Sequence, residues 1–374
     1  MTPLPRRPTY WEYIRVEDLL TLQGGIEGDE EQLADDEVRF IVIHQVDELW
    51  FKLVLRELRT ARDLFRRDYV PETALAAANL ALRRVALIFQ LASDHFRLME
   101  SMRSRDYLRF RDKLSPASGF QSAQMREIEV LMGLDDGDRI AFGNEASYRD
   151  ALRGPNGEAT PASERVARRS ADRPSLKEAI YAWLQRTPIH GSKPGSAGDA
   201  EAVASFLREF LQGHEQSSRD SVEHTVRSQA LTPGDGDRLR RRYGEQLDKA
   251  RAWLAAEDVR DAAERPRRQR LRAALLFIDS HRELPLLSWP CEILDTIVEA
   301  EQAMLIFRQR HARMVERVIG RRIGTGGSDG VDYLDQTALR YRVFQEIWAA
   351  RTLLLRPELA PPVRNQDFYG LRAP

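Results

Sequence analysis

Two of the seven histidines, His44 and His311, lie inside long segments whose apolar residues recur at helical spacing. His311 belongs to a stripe that includes Phe307 one turn earlier and Met314 one turn later. A buried imidazole with neither a hydrogen bond nor a metal is costly, so each side chain needs a partner. A hydrogen-bonded core histidine is one outcome. The other is metal binding, and two inward histidines without convergent cysteines or spaced carboxylates suit haem with one protein ligand better than zinc.

His44 is expected to lie against an aromatic wall. Phe40 precedes it by one turn, and Phe51 follows it by two turns on the same helix face. Spacing alone also allows a core histidine that bonds to a neighbour. His95, beside Asp94, is a third and less clear case of a histidine in a helical pattern.

Two further segments have residue types that could bind a ligand. Tyr107 and Arg111 are one helical turn apart and precede a helix-breaking stretch at 115–119. An arginine beside such a break can bind a carboxylate through two hydrogen bonds, although a solvated arginine is the alternative. The stretch 324–330 has four glycines in seven residues, which lets backbone N–H groups approach a ligand or simply turns the chain. It lacks the features of a nucleotide-binding P-loop.

These residues need helices to position them. Periodic apolar residues predict long helices over about 36–67, 71–102 and 292–319, and strand-like alternation is scarce. Shorter helices are expected at 121–132, 175–185, 200–211, 233–256, 265–280 and 336–355. Proline, glycine and serine predict loops at 154–174, 188–198 and 232–237. We therefore expect an all-α fold and a single domain over 1–374, with an elaborated, variable middle at 145–283, because the candidate residues near both ends must meet.

Composition limits the function classes. The 57 basic and 58 acidic residues nearly cancel, so no global field favours nucleic acid or an anionic membrane. One cysteine, Cys291, excludes an internal disulfide framework and thiolate-rich metal clusters. The N-terminal segment has neither the apolar core of a signal peptide nor a membrane span, so a cytoplasmic location is expected. A small-molecule partner is the better expectation, and the chain is long enough to enclose a sizeable cofactor.

Several linked motifs, spread in order over most of the chain, resemble the tryptophan 2,3-dioxygenase family. The resemblance is weakest at 189–283. The matching motifs are YWEYI (10–14), LLTLQ (19–23), FIVIHQVDELWFK (40–52), LSPASGFQS (114–122), AWLQRTP (182–188), the run 301–320 that contains His311, and GTGGS (324–328).

The resemblance implies an all-α, haem-binding enzyme that opens the indole ring of L-tryptophan with O2. The bond cleaved would be C2–C3 and the product N-formyl-L-kynurenine, in tryptophan catabolism by the kynurenine pathway. The cofactor would be haem (heme b), ferrous when active, with His311 as the proximal iron ligand. A homotetramer is also implied, in which Tyr10, Tyr13 and Ile14 of one subunit complete the site of a neighbour.

The remaining site residues follow from the same resemblance. His44 would be the catalytic distal histidine, which binds the indole N–H. The other predicted substrate contacts are Phe40 and Phe51 around the ring, Tyr107 in the pocket wall, Arg111 on the carboxylate, Ser118 and Gly119 near the haem, and Thr325 on the amino and carboxylate groups.

Two positions depart from the family pattern. Asp329 stands where a second serine is common, and Phe307 stands where tryptophan is common; neither change removes a catalytic group. A related haem oxygenase that acts on a modified tryptophan, for example a methylated one, and inserts one oxygen atom is the alternative. A haem protein that senses gas is a second alternative, against which the predicted amino-acid clamp argues.

Overall fold

The computed structural model describes residues 7–115, 117, 119–140, 148–154, 156–229, 231–322 and 330–370. These residues form α-helices and short 3-10 helices, with one isolated β-bridge between Ile189 and Ser192 and no β-strand. The expectation of an all-α fold is confirmed.

Fourteen α-helices occur in the described part of the chain. They are α1 (Tyr10–Ile14), α2 (Val16–Leu19), α3 (Asp35–Phe65), α4 (Glu72–Glu100), α5 (Ser104–Tyr107), α6 (Ala123–Met132), α7 (Pro161–Ala171), α8 (Leu176–Leu184), α9 (Asp199–Ser228), α10 (Pro233–Leu254), α11 (Arg265–Ser280), α12 (Pro285–Ile319), α13 (Val331–Arg340) and α14 (Gln345–Leu353).

Three long helices, α3, α4 and α12, build the centre of the molecule. α4 packs along both α3 and α12, and their apolar faces belong to one continuous core. By length and composition alone α4 could span a membrane, yet 56% of its most apolar stretch is buried inside the structure. Its place between two other helices accounts for that apolar character. The packing also brings the N-terminal half of the chain against the C-terminal half, as the candidate residues require.

Two predicted loops contain helix starts. α7 lies inside the expected loop 154–174, and α10 begins at Pro233 inside the expected loop 232–237. In both helices a threonine hydroxyl accepts a hydrogen bond from a backbone N–H of the first turn, and proline occupies the first helical position. Proline and threonine there are start signals rather than breakers, because the first-turn N–H groups have no partner within the helix.

Other helix bounds also differ from the prediction. The expected helix 336–355 is two helices, because the chain breaks between Tyr341 and Phe344. The buried carboxylate of Glu301 accepts hydrogen bonds from the backbone N–H groups of Val343 and Phe344, which the break leaves without helical partners. α9 runs to Ser228 rather than stopping at 211, and α12 starts at Pro285 rather than at 292.

Candidate active site

A cavity of about 520 Å³ opens between the central helices. α3 contributes Phe40, His44 and Phe51 to its wall, and α12 contributes Phe307 and His311. Residues of α4, α5, α6 and α13, together with residues of the segment between α5 and α6, complete the lining. The cavity therefore joins residues that lie more than two hundred positions apart in the chain, and its wall is mainly apolar and aromatic.

His311 borders this cavity and is shielded from bulk solvent. Its imidazole stacks on the ring of Phe96 with centroids 5.5 Å apart and lies 6.4 Å from the ring of Phe307. Neither ring nitrogen has a hydrogen-bond partner among the described residues. Burial, followed by the charges of His44 and Arg308, lowers the pKa of His311 to about 4. The imidazole is therefore neutral near pH 7, which is the form that binds a metal.

His44 is held in one orientation by its own helix. Its Nδ1 lies 2.7 Å from the carbonyl oxygen of Phe40, and the two rings are 4.0 Å apart. A carbonyl only accepts hydrogen bonds, so Nδ1 must be the donor. Burial lowers the pKa of His44, which favours the neutral ring. In that form Nε2 has a lone pair, and it is the atom left to accept a hydrogen bond from a ligand in the cavity.

Tyr107 and Arg111 lie together at the edge of the cavity. Tyr107 is the last residue of α5, and Arg111 is the first residue of the 3-10 helix Arg111–Leu114. One continuous helix therefore does not join the two residues. The rings of Phe40 and Tyr107 are 6.1 Å apart, and Phe110 contacts both. Burial raises the pKa of the Tyr107 phenol, which keeps it protonated, and the nearby charge of Arg111 opposes this only in part. This edge of the cavity therefore has one cation, Arg111, and one neutral hydroxyl, that of Tyr107.

A buried ionic network underlies the cavity beside His311. The carboxylate of Glu129 is only 1% exposed and contacts Arg126 at 3.0 Å, Arg139 at 2.6 Å and Arg308 at 2.6 Å. Burial opposes ionisation of Glu129, but the positive charges of Arg126, Arg308 and Arg139 outweigh it and lower its pKa to about 2. Arg139 also contacts the exposed carboxylate of Asp136 at 3.3 Å, so three cations and two anions leave one positive charge in excess. Arg126 and Arg308 also line the cavity, so part of this excess faces a bound molecule.

Sequence reasoning missed this network. The only local signal was the spacing of Arg126 and Glu129, three residues apart on a helix. Arg308 is 179 residues from Glu129 in the chain, and the spacing of residues along the sequence cannot predict a contact between two such distant positions.

The comparison with known protein families decides the relationship. The family model described as tryptophan 2,3-dioxygenase matches residues 6–354. The chain belongs to the tryptophan 2,3-dioxygenase family. The chain is 55% identical to the tryptophan 2,3-dioxygenase of Sorangium cellulosum, over 97% of this chain and 87% of the relative. It is 53% identical to tryptophan 2,3-dioxygenase 2 of Ralstonia nicotianae, over 97% of each. A tryptophan 2,3-dioxygenase of Anopheles gambiae is 31% identical over 96% of this chain and 88% of its own.

Members of the tryptophan 2,3-dioxygenase family are haem-dependent oxidoreductases. Within this member, the structure brings most of the sequence-predicted residues to one cavity. Those that line it are Phe40, His44, Phe51, Tyr107, Arg111, Gly119 and His311. Ser118 and Thr325 lie outside the described residues. His95 is not in the lining; its Nδ1 is 3.5 Å from the Asp47 carboxylate, whose pKa burial raises to about 6.

The N-terminal residues predicted for the dioxygenase site do not reach the cavity of their own chain. Tyr10 is 73% exposed, Tyr13 is 80% exposed and Ile14 is 45% exposed. The short helix α1 that contains them buries none of its residues. Large apolar side chains of the N-terminal segment are therefore exposed to solvent.

Proposed function

We propose that this protein is a haem-dependent dioxygenase that cleaves the C2–C3 bond of L-tryptophan with O2 to give N-formyl-L-kynurenine. One observation carries the proposal: His311, without a hydrogen-bond partner among the described residues, and His44, with its lone pair on Nε2, lie on different helices and face the same apolar cavity. The first is suited to a metal. The second is suited to an N–H donor of a substrate.

The residues present fit a haem group. His311 offers a neutral, buried imidazole nitrogen as the axial ligand. Haem has two carboxylates, and the excess positive charge of Arg126 and Arg308 is suited to them. When bound, haem supplies the redox chemistry that activates O2, for which amino-acid side chains offer no equivalent.

The same cavity provides what an aromatic amino acid requires. His44 Nε2 accepts the hydrogen bond of the indole N–H, and Phe40 and Phe51 enclose the ring. Arg111 pairs with the substrate carboxylate at the cavity edge beside the hydroxyl of Tyr107. These contacts at both ends of the substrate orient the indole C2–C3 bond, and the apolar wall excludes water. Gly119 lines the pocket, and the resemblance adds Ser118 and Thr325.

We also propose a homotetramer in which the N-terminal segment of one subunit reaches the site of another, and a cytoplasmic location. The exposure of Tyr10, Tyr13 and Ile14 supports the exchange, because apolar side chains at the surface indicate a surface that is covered in an assembly.

The names of relatives that are 53–55% identical favour tryptophan over a modified tryptophan as substrate.

The product tests the reaction. We expect ferrous enzyme, L-tryptophan and isotopically labelled O2 to give N-formyl-L-kynurenine with both labelled atoms, measured by mass spectrometry. A product with a single labelled atom would support the monooxygenase alternative, and turnover of a methylated tryptophan but not of tryptophan would contradict the proposed substrate.

The role of His311 has a separate test. We expect His311→Ala to lose stable haem binding, because the axial nitrogen is removed. His224→Ala, a change at an exposed histidine of α9, is the matched control and should keep the haem absorbance band. Retention of the full band by the His311 variant would show that another residue holds the iron.

A further inference from the structure

A second concave site lies between α3, α6 and α7 and shares no lining residue with the main cavity. Its volume is about 410 Å³. All six residues that line it are charged, and we call it the arginine pocket: Arg59, Glu127, Arg165, Arg168, Arg169 and Asp172. Helix α6 contributes to both sites, since Met125 and Arg126 line the main cavity while Glu127 lines the arginine pocket. None of the six lining residues has an apolar side chain, so the pocket is not suited to a ring such as indole.

The charges in the arginine pocket do not balance. Glu127 contacts Arg165 at 2.7 Å and Arg169 at 3.8 Å, and Asp172 contacts Arg169 at 2.6 Å. Arg59 and Arg168 have no carboxylate partner among the described residues. Four positive and two negative side chains leave a net charge of +2.

A neighbouring ion pair does not change this balance. Arg62 donates hydrogen bonds to both carboxylate oxygens of Asp172 at 3.1 Å and also pairs with Asp63, so that it adds one cation and one anion. The carboxylate of Asp172 is thus shared between Arg62 and Arg169. The excess positive charge therefore remains with Arg59 and Arg168.

One of the lining cations, Arg169, is nearly buried and has an N–H group without an acceptor in the described part of the chain. The side chain of Arg169 is 9% exposed, and its buried Nε has no acceptor among the described residues. Burial lowers the pKa of the Arg169 guanidinium, and the positive charge of Arg59 is the next largest cause. A buried donor without an acceptor and a neighbouring like charge are both destabilising. An anion bound between Arg59 and Arg169 would reduce the repulsion between these two cations.

We propose that the arginine pocket binds a small dianionic oxyanion of the phosphate type, either inorganic phosphate or the phosphate group of a monoester. Two negative charges match the excess of +2, and guanidinium groups bind phosphate oxygens in pairs of parallel hydrogen bonds. Glu127 and Asp172 hold Arg165 and Arg169 in position, while Arg59 on α3 and Arg168 on α7 have no carboxylate partner among the described residues and can pair with the ligand. The absence of apolar side chains from the lining favours a ligand recognised by charge.

Titration calorimetry with inorganic phosphate, at neutral pH and constant ionic strength, tests this proposal. We expect one saturable site per chain in the wild-type holoenzyme. The double variant Arg59→Gln/Arg168→Gln should bind phosphate at least about tenfold more weakly, because two charge-assisted contacts are lost. Both arginines are exposed, so the variant is expected to fold, and circular dichroism verifies this.

The matched control is Arg241→Gln/Arg242→Gln on α10, which removes the same charge from exposed positions outside the pocket and should bind as the wild type does. Glycerol phosphate distinguishes the two sources, since tighter binding than phosphate indicates a monoester and equal or weaker binding indicates inorganic phosphate. The proposal is overturned if the wild type shows no saturable binding, if the Arg59/Arg168 variant binds as tightly as the wild type, or if succinate binds as well as phosphate.

Discussion

Neutralising Glu129 should destabilise the protein more than the loss of any single surface ion pair would. Among the described residues its carboxylate is the only buried anion that contacts Arg126, Arg139 and Arg308, since Asp136, which also contacts Arg139, is exposed. Glu129→Gln keeps the shape of the side chain and removes its charge. Arg126 and Arg308 would then have no carboxylate partner among the described residues, and Arg139 would keep only the exposed Asp136. The variant therefore isolates the electrostatic contribution from packing.

The expected size follows from the pKa of Glu129. The native carboxyl has a pKa of about 2 rather than its ordinary 4.5. Since one pKa unit corresponds to about 1.4 kcal/mol, the ionised form stabilises the folded state by about 3 kcal/mol. Breaking a buried ion pair costs roughly 3–5 kcal/mol in other proteins, which agrees with this figure.

The pH dependence has a defined sign. The pKa is lowered on folding, so the stabilisation is fully present above the unfolded value of 4.5 and is lost as pH falls towards about 2. Urea unfolding followed by circular dichroism, at one protein concentration, should show a difference of about 3 kcal/mol between wild type and Glu129→Gln at pH 7. We expect this difference to shrink as the pH is lowered below 4.5.

Glu223→Gln is the matched control. Glu223 pairs with Arg227 at 3.2 Å on an exposed face of α9, where solvent screens the charges. Its loss should cost less than about 1 kcal/mol. The reasoning about Glu129 fails if its variant is as stable as this control, or if the difference from wild type does not change between pH 5 and pH 3.

Two further predictions concern the substrate. Arg111→Ala should weaken tryptophan binding by about 2–5 kcal/mol, because the substrate carboxylate loses its partner, while tryptamine should bind almost equally to both proteins in titrations followed by the haem spectrum. Equal weakening for both ligands would show that Arg111 acts through the fold. His44→Ala should keep haem and retain a reduced turnover, since the residue positions the indole N–H and does not hold iron; loss of the haem absorbance would contradict this.

The sequence alone determined the main helices and the main candidates. Apolar residues at three-to-four spacing predicted α3, α4 and most of α12, because the period of a helix is a local property that each segment encodes by itself. His44 and His311 stood out for the same reason, since a polar side chain on an apolar stripe is visible from its neighbours. The linked motifs then indicated the family, which the family model confirmed.

Predictions failed where two local signals conflict. Thr160 and Pro161 occur in a stretch rich in proline, glycine and serine, and these residue types start helices as readily as they end them. Similarly, the break at Tyr341–Phe344 depends on Glu301, a buried residue of another helix whose carboxylate binds the freed backbone N–H groups. Spacing within the segment could not reveal that partner.

Only the tertiary structure decided which distant residues meet. It gave Glu129 its contact with Arg308, brought His44 and His311 to the wall of one cavity, and grouped Arg59 with the arginines of α7. It also left Tyr10 outside the cavity of its own chain. Side chains on separate helices approach one another only when the helices pack, and the geometry of packing depends on the whole core rather than on the order of neighbours along the chain.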